Sequence, residues 1–140
     1  MTTYDTAAAA PATTTASRVG WALGGLLGLF LVFDGVTYVL NVQQVKDSMA
    51  DLGFANGNAA LGIGLVELVI VALYVVPRTA PLGAVLLTGY LGGAVAVQMR
   101  VEAPLLSTAL FPVYVGTLLW VALYLRDRRV RGLVASMLHN

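Results

Sequence analysis

Four stretches of this sequence are long, apolar and almost free of charge. Val19–Leu40 holds 22 residues with one ionisable acid, Asp34. Ala59–Val76 holds 18 with one, Glu67, and stops at Pro77, which cannot continue a helical hydrogen-bond ladder. Leu82–Met99 (18 residues) and Leu105–Leu125 (21 residues) carry no charge and end at Arg100 and Arg126. As helices rising about 1.5 Å per residue, these runs reach roughly 27–33 Å, near the thickness of a bilayer's hydrocarbon core. A soluble fold would need an amphipathic shell around four such helices. The chain has 140 residues, 59% hydrophobic and 11% charged, where soluble domains run at about 45–50% and 25%. The alternating segments of a membrane β-barrel are absent.

The sequence therefore predicts an all-α, polytopic membrane protein, an antiparallel bundle of four transmembrane helices with short interfacial helices. The membrane domain covers 18–126. Residues 1–17, Ala/Thr-rich with Asp5 their one charge, are expected to be disordered. They do not read as a secretory signal, since no basic residue precedes Arg18 and the apolar run that follows is too long. Residues 127–140 form an amphipathic tail. With no cysteine and one histidine, His139, no disulfide, thiolate site, bis-His haem or other metal centre is expected. No P-loop, dinucleotide fingerprint or Ser/His/Asp set is present, and no nucleic-acid partner is expected.

Basic residues give the orientation. Arg18, Arg78, Arg126, Arg128, Arg129 and Arg131 fall on one side of four spans, and Lys46 and Arg100 on the other. Six against two places both termini and the 77–81 turn in the cytoplasm. Trp21, Tyr74, Trp120 and Tyr124 are then expected at the inner interface, with Tyr38 and Tyr114 at the outer one. The short 77–81 turn makes the second and third spans antiparallel neighbours, with Thr79 as helix cap and Pro81 in the first turn. In the 41–58 loop, Val42, Val45, Met49 and Leu52 recur at helical spacing, Gly53 stops the helix and Asn56-Gly57-Asn58 makes a turn. This short helix lies on the outer surface or folds over the bundle mouth. Val130, Leu133, Val134, Met137 and Leu138 form a similar stripe beside four arginines, suited to the anionic inner leaflet.

Asp34 and Glu67 are the candidate functional residues. An acid at the centre of a membrane helix costs about 2.5–3.5 kcal/mol on insertion scales, so the folded bundle must offset it. Counted from the span ends, Asp34 lies roughly 9 Å deep, Glu67 roughly 12 Å and Tyr90 roughly 13 Å, in one layer on three helices. Gln98 and Arg100 lie above it, and Arg100 is long enough to reach toward Asp34. These five residues suit three uses, a cross-helix polar lock, a ligand pocket or a proton relay. A carboxyl held neutral can donate a hydrogen bond to a carbonyl such as a quinone head. Gly64, one turn from Glu67, leaves room for a helix or for a ligand. Gly20, Gly24 and Gly28 on the first span, and Gly89 and Gly93 on the third, permit close helix approach within the bundle or in a homo-oligomer.

In order and spacing, five pieces of the chain resemble the DoxX-like membrane proteins. They are Phe33-Asp34-Gly35, Glu67, the Val76-Pro77-Arg78-Thr79-Ala80-Pro81-Leu82-Gly83 turn, Leu87-Thr88-Gly89-Tyr90-Leu91-Gly92-Gly93-Ala94, and Phe111-Pro112-Val113-Tyr114 with Trp120 and Leu125-Arg126-Asp127. The resemblance covers about residues 18–133. It implies a four-helix protein of the bacterial inner membrane, in a family named for subunits associated with thiosulfate:quinone oxidoreduction, some of whose relatives associate with oxidative-stress enzymes. Gln98 stands where many relatives carry a histidine, and Tyr38 where they carry a lysine. The expected function is an accessory or quinone-linked subunit of a membrane oxidoreductase, with quinone or lipid in an acidic intramembrane pocket. The alternatives are a non-catalytic lipid- or small-molecule-binding or scaffold protein, and a small proton-coupled transporter.

Overall fold

A computed structural model describes residues 14–54 and 57–138; residues 1–13 of the tail expected at 1–17, Asn56 of the expected turn and His139 lie outside the described residues. Six α-helices and one π-helical turn follow in order: α1 (Thr14–Val39), α2 (Gln43–Asp51), α3 (Gly57–Val75), α4 (Ala80–Arg100), the π turn (Leu105–Ala109), α5 (Phe111–Arg126) and α6 (Arg128–Leu138). Four helical stretches are long and apolar enough to cross a membrane, namely Thr15–Val39, Asn58–Val75, Ala80–Arg100 and Leu105–Arg126. The all-α, four-span expectation thus stands. Helix α1 starts inside the segment expected to be disordered, because Thr14 to Ser17 contain no Gly or Pro and each residue added to an existing helix gains a hydrogen bond.

The spanning helices close a ring. Helix α1 packs on α3 and α5, α4 packs on the same two, and α1 faces α4 across the diagonal. One end of the ring, the tail end, gathers the start of α1, the α3–α4 turn and α6. The other end, the mouth, gathers α2 and the π turn. The fourth span is not one continuous α-helix. Pro112 has no N–H, and its ring crowds the carbonyl four residues back, so the chain bends at Leu110. Before the bend, Ala109 and Leu110 donate five residues back, to Pro104 and Leu105 (3.1 and 2.9 Å).

The tail half is packed solid around Tyr74, Leu87, Leu119 and Leu123. Tyr74, expected in an interfacial belt, is instead 0% exposed. Its hydroxyl donates across the bundle to the Leu119 carbonyl (2.9 Å). Arg126 folds over the Tyr74 and Trp21 rings, 4.5 and 4.9 Å from their centroids, and donates to the Tyr74 carbonyl (2.6 Å). Thr79 holds the cap position of α4, with a proline in the first turn, but its hydroxyl donates to the Leu73 carbonyl (2.7 Å) and so closes the end of α3. The α6 stripe is docked at Val130 and leaves Leu133, Val134, Met137 and Leu138 exposed.

Glycine contacts resolve which small residues are interfaces. A Cβ on Gly64 would lie 2.7 Å from the Gly35 carbonyl oxygen and 2.8 Å from the Tyr38 Cβ, so Gly64 makes room for α1 and not for a ligand. Gly20 meets the α5 backbone in the same way, while Gly24 and Gly28 face α5 and α3 side chains. Gly89 and Gly93 differ, for a Cβ on either meets no atom within 4 Å. We expect Gly64→Leu to push α1 and α3 apart and destabilise the bundle by about 1–3 kcal/mol. Thermal unfolding in detergent measures this. Gly62→Leu, where an added Cβ also meets nothing within 4 Å, should leave the midpoint unchanged.

Candidate functional site

The mouth half of the ring is hollow. Leu31, Leu91 and Val115 form the top of the packed core and also the floor of a cavity of about 350 Å³. Its polar lining comes from three helices and the π turn, with Asp34 and Tyr38 from α1, Glu67 from α3, Tyr90 and Gln98 from α4, and Ser107 and Thr108 from the π turn. Phe30, Phe111 and Pro112 supply apolar surface. Asp34, Glu67 and Tyr90, placed in one layer by residue counting, do share one site.

Among the described residues, Glu67 is the one charged side chain in the buried core, at 0% exposure. The Tyr90 hydroxyl donates to its Oε2 (3.0 Å), while Oε1 is buried with no partner among the described residues. A buried acceptor left without a donor costs about 1–3 kcal/mol, more when charged. Asp34 is half-buried, and its carboxylate has neither a hydrogen bond nor an ion pair among the described residues; Thr37 donates to its backbone carbonyl (2.6 Å). A smaller space between α1 and α2 also reaches Asp34 and Tyr38.

Gln98 is half-buried and lines the cavity, because Ala94 and Leu91, four and seven residues back on the same helical face, line it too. Arg100 does not join the site. It is exposed, with no ion pair to Asp34 among the described residues. Seven and eleven residues back from Arg100 are Gly93 and Gly89, on the exposed side of α4, so the length of the arginine is directed away from Asp34.

At the mouth end, α2 folds down onto the bundle. Val45 and Met49 are buried against Ala60, with Tyr38, Leu52, Phe54 and Ile63 packed around them. This helix packs against the end of α1 and the start of α3, beside the acid cavity and not in its lining. Its end is a Schellman cap, in which Gly53 at φ +84° lets its own N–H reach Ala50 and that of Phe54 reach Met49 (2.9 and 2.8 Å). Asn41, at φ +49°, turns the chain out of α1 toward α2. Sequence reasoning missed Ser107 and Thr108. The signal was Pro112 in an apolar run, which marks a break, with two hydroxyls one turn ahead of it.

The model of the DoxX-like family matches residues 22–122. The chain belongs to the DoxX-like family. The matched region takes in all the residues lining the acid cavity, and α6 lies beyond it. With its four spans, this DoxX-like chain is an integral membrane protein. Neither the curated proteins nor the solved structures contain a match to it.

In this DoxX-like site, Tyr90→Phe removes the one donor that Glu67 has among the described residues. The expected cost is about 1–3 kcal/mol, seen as a lower unfolding midpoint in detergent. Trp120→Phe removes an exposed bond from Nε1 to the Thr88 hydroxyl (2.9 Å) and should cost less than half as much.

Proposed function

We propose that this protein is a quinone-linked accessory subunit of a membrane oxidoreductase system, and that the cavity around Glu67 receives the quinone head. The observation that carries this reading is Glu67 in the lining of a cavity of small-molecule size, with one carboxyl oxygen that has no partner among the described residues. A purely structural lock should close its hydrogen bonds, since an open buried polar group is costly in lipid. Of the five residues that could form a lock, Tyr90 and Glu67 make the one bond between them among the described residues.

Carboxyl chemistry suits a ligand with two redox states. An ionised Glu67 accepts from a quinol hydroxyl, and a protonated one donates to a quinone carbonyl. Asp34, Tyr38, Gln98, Ser107 and Thr108 supply further donors and acceptors around the head. The role is accessory because a sequence with no cysteine and one histidine has few ligands for a redox centre of its own, so electrons come from a partner. The surplus of basic residues at the tail end supports both termini being cytoplasmic with the mouth facing outward, and the family resemblance implies a bacterial inner membrane.

Native mass spectrometry of the detergent-purified protein tests the site. Wild type should retain a quinone that Asp34→Asn and Glu67→Gln both lose. Equal retention in all three, or a phospholipid in place of a quinone, would contradict the quinone reading. Orientation has its own test, made simple by the absence of native cysteine. In intact spheroplasts, an impermeant maleimide should label Ser48→Cys, on α2, and should reach Ser136→Cys, on α6, only after permeabilisation.

A further inference from the structure

A second cavity, also about 350 Å³, lies against the first. The two share Tyr38, Tyr90, Ala94 and Gln98 as a common wall. Their chemistry differs. Neither acid reaches the second cavity, which is bounded by Met49, Leu52 and Phe54 from α2 and its end, Ile63 from α3 and Val97 from α4. Gly89 and Gly93 form its α4 side, and both are exposed on the outside of the ring. With no atom within 4 Å of a Cβ built on either, the absence of side chains there is what keeps the groove open. Gly35 and Gly64 are small because another helix needs the space, and no part of the described chain fills the space at Gly89 and Gly93.

We infer that this groove holds the hydrocarbon tail of the quinone whose head sits at Glu67, which makes the ligand a long-tailed, membrane-dissolved quinone. The inference rests on the head assignment proposed above and extends it. The occupant follows from continuity, since a polar cavity lined by Asp34 and Glu67 and an apolar groove meet at one wall of two phenols, an amide and an alanine. An amphiphile has the same division. Its head finds hydrogen bonds on the Glu67 side, and its tail passes the Tyr38, Tyr90 and Gln98 wall toward the α3–α4 face. Lipid tails are as apolar as the groove, so selection depends on fit and not on desolvation. Filling the groove should therefore act on tailed ligands alone.

Helix α4 provides its own control. Gly92, beside Gly93, is equally open, with no atom within 4 Å of an added Cβ, but it lines a different space, with Thr88, Val113 and Trp120. At neither Gly93 nor Gly92 does an added Cβ meet a clash. Binding of a decyl-tailed benzoquinone and of its tail-less counterpart would be measured in nanodiscs, with ligand expressed as mole fraction in the lipid. Gly93→Leu should weaken the decyl compound at least tenfold and change the tail-less one less than twofold, and Gly92→Leu should change neither. If Gly93→Leu weakens both equally, weakens neither, or behaves as Gly92→Leu does, the tail groove is overturned while the head site stands. If wild type binds neither compound, the head assignment falls and the groove with it.

Discussion

The crossing of α1 and α3 at Gly35 and Gly64 is the contact on which the site depends. Between lipid-facing helices there is no hydrophobic drive to associate, because hydrocarbon tails are as apolar as leucine, so close packing has to hold them. A Cβ on Gly64 would fall within 2.7 Å of the Gly35 carbonyl oxygen, so the two backbones touch. Asp34 is the residue beside Gly35, and Glu67 lies one turn from Gly64. Backbone contact at that level brings both carboxyls to the lining of one cavity. Large apolar side chains on the same two helices, such as Leu29 and Val69, face outward.

The bundle divides its length between two tasks. In the tail half, Tyr74 reaches across the ring to α5 while Arg126 reaches back to α3, so two polar side chains are satisfied at once and the core around them is full. The mouth half is built to a different rule. Its polar groups outnumber its hydrogen bonds, α2 packs beside the acid cavity without entering it, and the π turn brings two hydroxyls to the lining. Under the proposed reading, the packed base fixes the positions of groups that a ligand then satisfies.

Much of this was legible in the sequence, and what was not has a common cause. The spans follow from run length alone, the α2 stripe from its charged opposite face, and its end from Gly53. The depth of the acids follows from counting residues. Rotation about the helix axis was the hidden variable. A membrane helix is apolar all round, so its pattern does not say which face meets lipid and which meets the bundle. Tyr74 could thus be read as an interfacial anchor when it is the centre of the core. Gly64 and Gly93 look alike as letters, yet one is pressed against a backbone and the other is open. Arg100 had the length to meet Asp34 and pointed elsewhere. Arg126, counted for its charge alone, turned back over two aromatic rings.

The central claim is that the free oxygen of Glu67 is a ligand contact and not an unfinished structural bond. Ligand-induced infrared difference spectroscopy in nanodiscs reads it directly, with the carboxyl C=O band assigned by its loss in Glu67→Gln. Addition of a decyl-tailed benzoquinone should shift that band in wild type and leave no such feature in the variant. A Glu67 band that stays in place while the quinone is bound would contradict the claim and return the acid layer to a structural role.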